Sequence, residues 1–403
     1  MRFFYLDPGL RDNVGHQANT CRAVTSELRR RGVETFVAAS AEVTDELKAE
    51  VNARPIFKYP NAWLQNGEPV AGWLSVFLQG TTATTGELMQ LPPTQAGDVV
   101  FLNSALPVQL MAIANWVTHI PPDRRPRVVI EFGIGPGLEA HKVGDTLQYE
   151  TIDPRQDPRS VLYRHIGNNI PAEIRQHLVL TTFDPISSNA FAFATGIETK
   201  VLPLPQQAYW PPRTKVGKRP LTVSVLGHQR WDKGYQLMPE VIPILLARHQ
   251  DICFLAHNAA PDQMADTQAH IRALAENSLR VIVDERPADD RHWRYLFAAS
   301  DIILCPYKPL RYLTSYSALA VEALANGIPA VVPDETSLSR FLIENEGGVV
   351  TFSEMTPQAI ANAASLALQA FDDLADAAFE AAQSWNNHDR KALLVDAILG
   401  EAH

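Results

Sequence analysis

Residues 301–333 read DIILCPYKPLRYLTSYSALAVEALANGIPAVVP, and the pattern of side chains changes three times along them. The apolar run 302–305 is short enough for a buried strand. A polar, aromatic-bearing loop follows over 306–315. Residues 316–326 then place Leu319, Ala320, Ala323 and Leu324 at the three- and four-residue spacing of a helix face. Gly327 suits the position just past a helix end, where a left-handed backbone costs glycine least. Residues 328–332 read as the next strand. This is one strand–loop–helix–strand unit of a parallel sheet, and such sheets bind ligands beyond the carboxyl ends of their strands. The 306–317 loop is therefore a candidate binding segment. Glu322 sits on the helix among small and apolar residues, so its carboxylate either faces solvent or reaches a ligand.

The same alternation extends in both directions. Downstream, residues 352–354 read as a turn, 356–374 as an apolar helix and 389–399 as a last helix. Upstream, strands are expected at 221–226, 252–256 and 280–283, with helices at 235–248, 263–275 and 292–299. Nearer the start, strands at 2–6, 33–38, 98–103, 127–132, 177–182 and 200–204 surround helices at 16–31 and 108–117. Residues 7–15, 80–86 and 184–188 read as loops. Residues 55–80 are dense in aromatics, with Phe57, Tyr59, Trp63, Trp73 and Phe77. They read as core at a domain edge, or else as an insertion facing an acceptor or a membrane. Continuous β/α alternation predicts α/β architecture with doubly wound sheets. No G-x-G-x-x-G follows the first strand, which argues against a dinucleotide site there. GIGPG at 133–137 permits close backbone approach, but no G-K-[ST] follows it.

A chain of 403 residues implies about two domains of roughly 150–200 residues each. The proline-rich, basic run 205–220 is the expected linker, between domains at 1–204 and 221–383. A formal net charge of −10 argues against nucleic acid as a partner, because phosphate backbones demand a basic face. Three separated cysteines fit a reducing cytoplasm and offer no metal-ligand spacing. No apolar run approaches the ~20 residues that span a bilayer. The expectation is a cytoplasmic protein, with contact to the inner face of a membrane as an option.

Glu322-Ala-Leu-Ala-Asn-Gly-Ile-Pro329 resembles the E-A-x-A-x-G-x-P signature of glycosyltransferase family 4. The loop Gly227-His-Gln-Arg-Trp-Asp-Lys-Gly234 resembles that family's G-x-x-R-x-x-K-G segment. The resemblance covers about 219–380 well and is faint before that. It implies the GT-B fold, two Rossmann-like domains facing a central cleft, with the C-terminal stretch 384–403 crossing back onto the first domain. It implies a retaining, metal-independent transfer of a sugar from a nucleotide diphosphate sugar, with no cofactor beyond that donor substrate. The acceptor stays open among a glycan, a lipid-linked molecule and a small molecule, and polysaccharide or glycan biosynthesis is a common context of the family. Arg230 and Lys233 would meet the diphosphate, where fixed cations stabilise charge developing on a leaving group. Glu322 would bind the ribose, since a carboxylate accepts from both hydroxyls of a cis-diol. Tyr312, Thr314, Ser315, Tyr316 and Ser317 would surround the sugar, while Asn13, Gly15 and His16 would lie on the acceptor side.

Three positions depart from the family pattern. Thr314 stands where the family carries the first glutamate of E-x7-E. His228, and not an arginine, follows Gly227. The strand end that often bears a histidine near the reacting sugar holds residues 131–133, and whether His141 or Glu139 substitutes stays open. Two other readings therefore remain beside a transferase. One is a sugar-nucleotide epimerase of the same fold, and the other is a non-catalytic nucleotide-sugar-binding subunit.

Overall fold

The computed structural model describes residues 1–13, 16–58, 70–143, 146–211 and 220–401. They form two compact units: residues 1–205 together with 391–403, and residues 206–390. Each is built on its own parallel sheet.

In the first unit the strands are β1 (Arg2–Asp7), β2 (Glu34–Ser40), β3 (Ala53–Phe57), β4 (Val99–Leu102) and β5 (Arg127–Glu131). An antiparallel hairpin, β6 (Leu138–Val143) with β7 (Thr146–Thr151), stands apart from the sheet. Strands β8 (Leu178–Thr182) and β9 (Thr199–Val201) complete a seven-stranded parallel order, β3-β2-β1-β4-β5-β8-β9. Phe4, Leu6, Val100, Leu102, Val128 and Ile130 pack with Trp73 and Phe77 of helix Val70–Leu88 and with helix Pro107–His119. The last helix, Arg390–Leu399, is tied to this unit by the Arg31–Asp396 ion pair and by Arg127, which donates to the Ile398 carbonyl.

The second unit carries β10 (Leu221–Val225), β11 (Ile252–His257), β12 (Val281–Asp284), β13 (Ile302–Leu304), β14 (Ala330–Pro333) and β15 (Val349–Phe352). All run parallel in the order β12-β11-β10-β13-β14-β15. Side chains alternate across a strand, and both faces here are apolar. Ile302 and Leu304 join one core layer with helices Met238–Arg248 and Pro357–Gln369, while Ile303 and Cys305 join the other with helices Asp290–Ala299 and Ala318–Ala325. A strand buried on both faces must read as a continuous apolar run, which is why 302–305 shows no alternation.

Three expectations need correction. Residues 80–86 lie inside helix Val70–Leu88, where Thr82 and Thr85 turn their hydroxyls onto the carbonyls of Leu78 and Thr81. Bonding back along the helix removes the polar cost that made the stretch look like a loop. Residues 185–188 begin helix Pro185–Thr195, capped by Asp184 accepting from the Ser187 amide. The 352–354 region ends a sixth strand, and the following helical stretch is two helices, Pro357–Gln369 and Phe371–Asn386.

Candidate functional site

Two loops at the carboxyl end of the second sheet meet: 227–234, after β10, and 305–317, after β13. The Lys308 amide donates to the Asp232 carbonyl at 2.8 Å. The Lys233 ammonium lies 5.4 Å from the centre of the Tyr307 ring. Arg230 holds both carboxylate oxygens of Asp232 at 3.0 Å and donates to the Tyr312 hydroxyl. Tyr312 in turn packs on Tyr307, ring centres 4.5 Å apart. Arg230 remains partly open to solvent.

The Lys-Gly pair has a steric cause. Gly234 has φ +68°, and a Cβ there would lie 1.9 Å from the Pro306 carbonyl oxygen. No other residue can bring the two loops this close. A Cβ on Gly227 would sit 3.6 Å from the Lys233 Nζ, so that amine rests against the start of its own loop. Burial, with Arg230 as a second influence, pushes the Lys233 amine down to about 8. An anion arriving beside it would reverse that shift.

Glu322 is buried, on helix Ala318–Ala325. The Trp293 indole donates to Oε2 at 2.9 Å and the Tyr209 hydroxyl donates to the same carboxylate. Burial raises the carboxyl to about 7 despite both bonds. Neither Trp293 nor Tyr209 was singled out from the sequence. Ser317 is the residue preceding this helix, and the buried Ser315 accepts from Arg311 at 2.9 Å and has its carbonyl held by Ser337. Thr314 is buried in the same loop, and Tyr316 is half-buried.

The floor beneath the 227–234 loop is polar and also escaped the sequence reading. The Gly227 amide donates to His257 Nδ1 at 3.0 Å, and His257 Nε2 bonds the Arg286 carbonyl at 2.9 Å. Gln229 donates its amide to Asn258 Oδ1 and its side chain to the His257 carbonyl. Asn258 and Tyr235 both donate to Gln268 Oε1. His257, Asp284 and His292 lie close enough to suggest a cation cage. However, His257 already accepts an amide at one ring nitrogen and meets a carbonyl with the other, and Asp284 is paired with Arg286. Ligation by His257 would require breaking one of its bonds, so the residues present do not fit a metal.

In the first unit, polar side chains close the ends of apolar strands. Asp7 ends β1, Glu131 ends β5, and Asn103 and Ser104 follow β4. Asn103 donates to Asp7 at 2.8 Å and the Ser104 amide donates to Glu131 Oε2 at 2.9 Å. Burial raises Asp7 to about 7 and Glu131 to about 8. Ser104 has φ +56°, a backbone strain held by this network. The signal in the sequence is a carboxylate ending each of the runs RFFYLD and RVVIE. The glycines at 133–137 serve packing: the Gly137 Cβ position is 2.8 Å from Asp157, and the Gly135 carbonyl accepts from Arg159. His141 and Glu139 stand on the exposed β6–β7 hairpin, 3.7 Å apart, and not at the β5 end. Asn13 accepts from Arg22 at 2.7 Å. Gly15 lies outside the described residues, as does the side chain of His16, and so do Tyr59 and Trp63 of the aromatic stretch.

No protein-family model matches the sequence, and no curated protein matches it. Solved structures do. The chain is similar to sucrose-phosphate synthase from Thermosynechococcus elongatus, with 14% identity and TM-score 0.63 over 100% of this chain and 97% of that one. It is similar to a UDP-forming α,α-trehalose-phosphate synthase from Burkholderia vietnamiensis, with 12% identity and TM-score 0.65 over 100% and 99%. It is also similar to Anabaena HepE in complex with UDP, with 15% identity and TM-score 0.62 over 99% of each chain. The fold is GT-B. At these identities the likeness carries architecture alone.

Proposed function

We propose that this GT-B chain is a glycosyltransferase that moves a sugar from a nucleotide diphosphate sugar to an acceptor. The observation that carries the reading is the convergence of Arg230 and Lys233 on the 305–317 loop, with Glu322 on the helix that follows it. Two cations fixed by aromatic and carboxylate neighbours suit a diphosphate leaving group, whose charge develops as the sugar bond breaks. Glu322 would take the ribose diol, exchanging bonds with Trp293 and Tyr209 for bonds to the ligand. Tyr312, Thr314, Ser315, Tyr316 and Ser317 would contact the sugar, and Asn13, Gly15 and His16 the acceptor. Structural neighbours have been solved with UDP and with UDP-glucose, which makes a uridine nucleotide the first donor to try. The transfer is proposed as retaining and metal-independent, in glycan or polysaccharide assembly.

Thermal unfolding with UDP, GDP, ADP, dTDP and CMP tests the site. A ligand at about 100 times its dissociation constant adds roughly 2.7 kcal/mol. One diphosphate should stabilise the wild type but not Glu322→Ala. Turnover of the matching nucleotide-sugar should fall in Lys233→Ala by a factor equivalent to about 2–4 kcal/mol. Wild-type rates in that variant would remove Lys233 from the leaving-group role. Thr314, in place of a glutamate, supports a second reading: a protein that binds the nucleotide-sugar and leaves it intact. Stabilisation by donor without hydrolysis or transfer would favour that one.

A further inference from the structure

His257 closes β11, buried beneath the 227–234 loop. Its two ring nitrogens have opposite duties. Gly227 N–H points at Nδ1, which must present a lone pair, and the Arg286 carbonyl faces Nε2, which must carry the hydrogen. The partners thus select one neutral tautomer. A chain of contacts then leads outward: His257 holds the Gly227 amide, and Gly227 abuts the Lys233 ammonium. The loop's other bonds to β11 and its end, from Gln229 to Asn258 and to the His257 carbonyl, and from Ala259 to the Gly227 carbonyl, involve no titratable group.

We infer that His257 is a positioning residue: its neutral, Nε2-protonated ring fixes the loop that presents Arg230 and Lys233, and a second proton on that ring releases it. An imidazolium would aim N–H at the Gly227 N–H, turning an acceptor into a clash of donors. The groups facing the ring come from several elements. Asp284 at the end of β12 favours the charged ring, while His292 on helix Asp290–Ala299 and Arg286 oppose it. Burial opposes it most and holds the ring below its ordinary value. Trp293 covers it edge-on, centroids 6.0 Å apart. The consequence for a diphosphate rests on the reading of Arg230 and Lys233 given above.

Amide hydrogen exchange over residues 226–237 of the free chain tests this, read from about pH 4 to 8 so that the window reaches below the ordinary histidine range, with intrinsic exchange divided out. In the wild type, protection should be full at the alkaline end and fall towards acid. His257→Asn offers Oδ1 to the Gly227 amide and cannot titrate, so its protection should persist at every pH. His257→Leu should exchange about tenfold faster at pH 8, the loss of one buried hydrogen bond. His292→Asn should keep the wild-type acid sensitivity. A flat wild-type profile, or acid sensitivity surviving in His257→Asn, overturns the inference. UDP affinity at pH 8 separates the two claims. Faster exchange in His257→Leu with unchanged UDP affinity would uphold His257 as the loop's anchor and remove the loop from the diphosphate site.

Discussion

Burial shifts the proton affinities of Lys233 and Glu322, both in the candidate site, in opposite senses, and each shift makes a prediction. Burial holds the Lys233 amine near 8, so a bound diphosphate should raise it again. Calorimetric titration of nucleotide near pH 8, in buffers of different ionisation heat, should register proton uptake that Lys233→Ala abolishes. Equal heats in all buffers would show that the anion lies elsewhere. Glu322 is raised to about 7, above an ordinary glutamate near 4.3. The folded chain therefore holds this proton where the unfolded chain has released it. Its contribution to stability is full below the ordinary value and disappears as pH rises through about 7. Glu322→Gln should accordingly unfold at a higher temperature than the wild type at pH 8, and lose that advantage at pH 4. A destabilised Gln variant at pH 8 would mean that the ionised carboxylate is a structural asset of the resting protein. At this scale the sequence showed the Lys-Gly pair and the Glu322 run, because both are contiguous. Trp293 and Tyr209 were invisible in it. Trp293 meets Glu322 from 29 positions away, and tryptophan on an amphipathic helix reads equally well as core.

The elements that the sequence declared were those whose burial enforced a pattern. Strand β13 is apolar on both faces, and Gly327, at φ +67°, ended its helix as expected. The elements it concealed were those rescued by local polar bonding. Threonine hydroxyls folded onto a helix, and an Asp184–Pro185 start looked like a turn. Gly234 belongs to this scale because it lets one loop rest on another. Gly234→Ala forces a side chain into the Pro306 carbonyl and into a left-handed backbone. Its cost should exceed about 4 kcal/mol, the range kept for severe steric faults. Thermal unfolding would measure the loss, and a variant within about 1 kcal/mol of wild type would show that the 305–317 loop can retreat.

Across the whole chain, alternation of strands and helices was enough to declare the parallel sheets, since nothing else accounts for apolar runs joined by amphipathic ones. Which residues close the first unit was a matter of long-range contact. Leu394, Val395 and Ile398 are fully buried there, beside the Arg31–Asp396 pair. Leu394→Ala should cost about 2–5 kcal/mol, read as faster amide exchange among residues 1–205. Unchanged protection there would mean that the helix end is dispensable. The order of synthesis gives this closure a further meaning. Domains emerging from a ribosome generally fold as units, the earlier before the later. Here the first unit contains residues 391–403, made after all of 206–390. The second unit is contiguous and can finish as soon as it is made, whereas the first must wait for residues 391–403. A chain halted between 390 and 394 would hold all of 206–390 but would lack the contacts that Leu394 makes in the first unit.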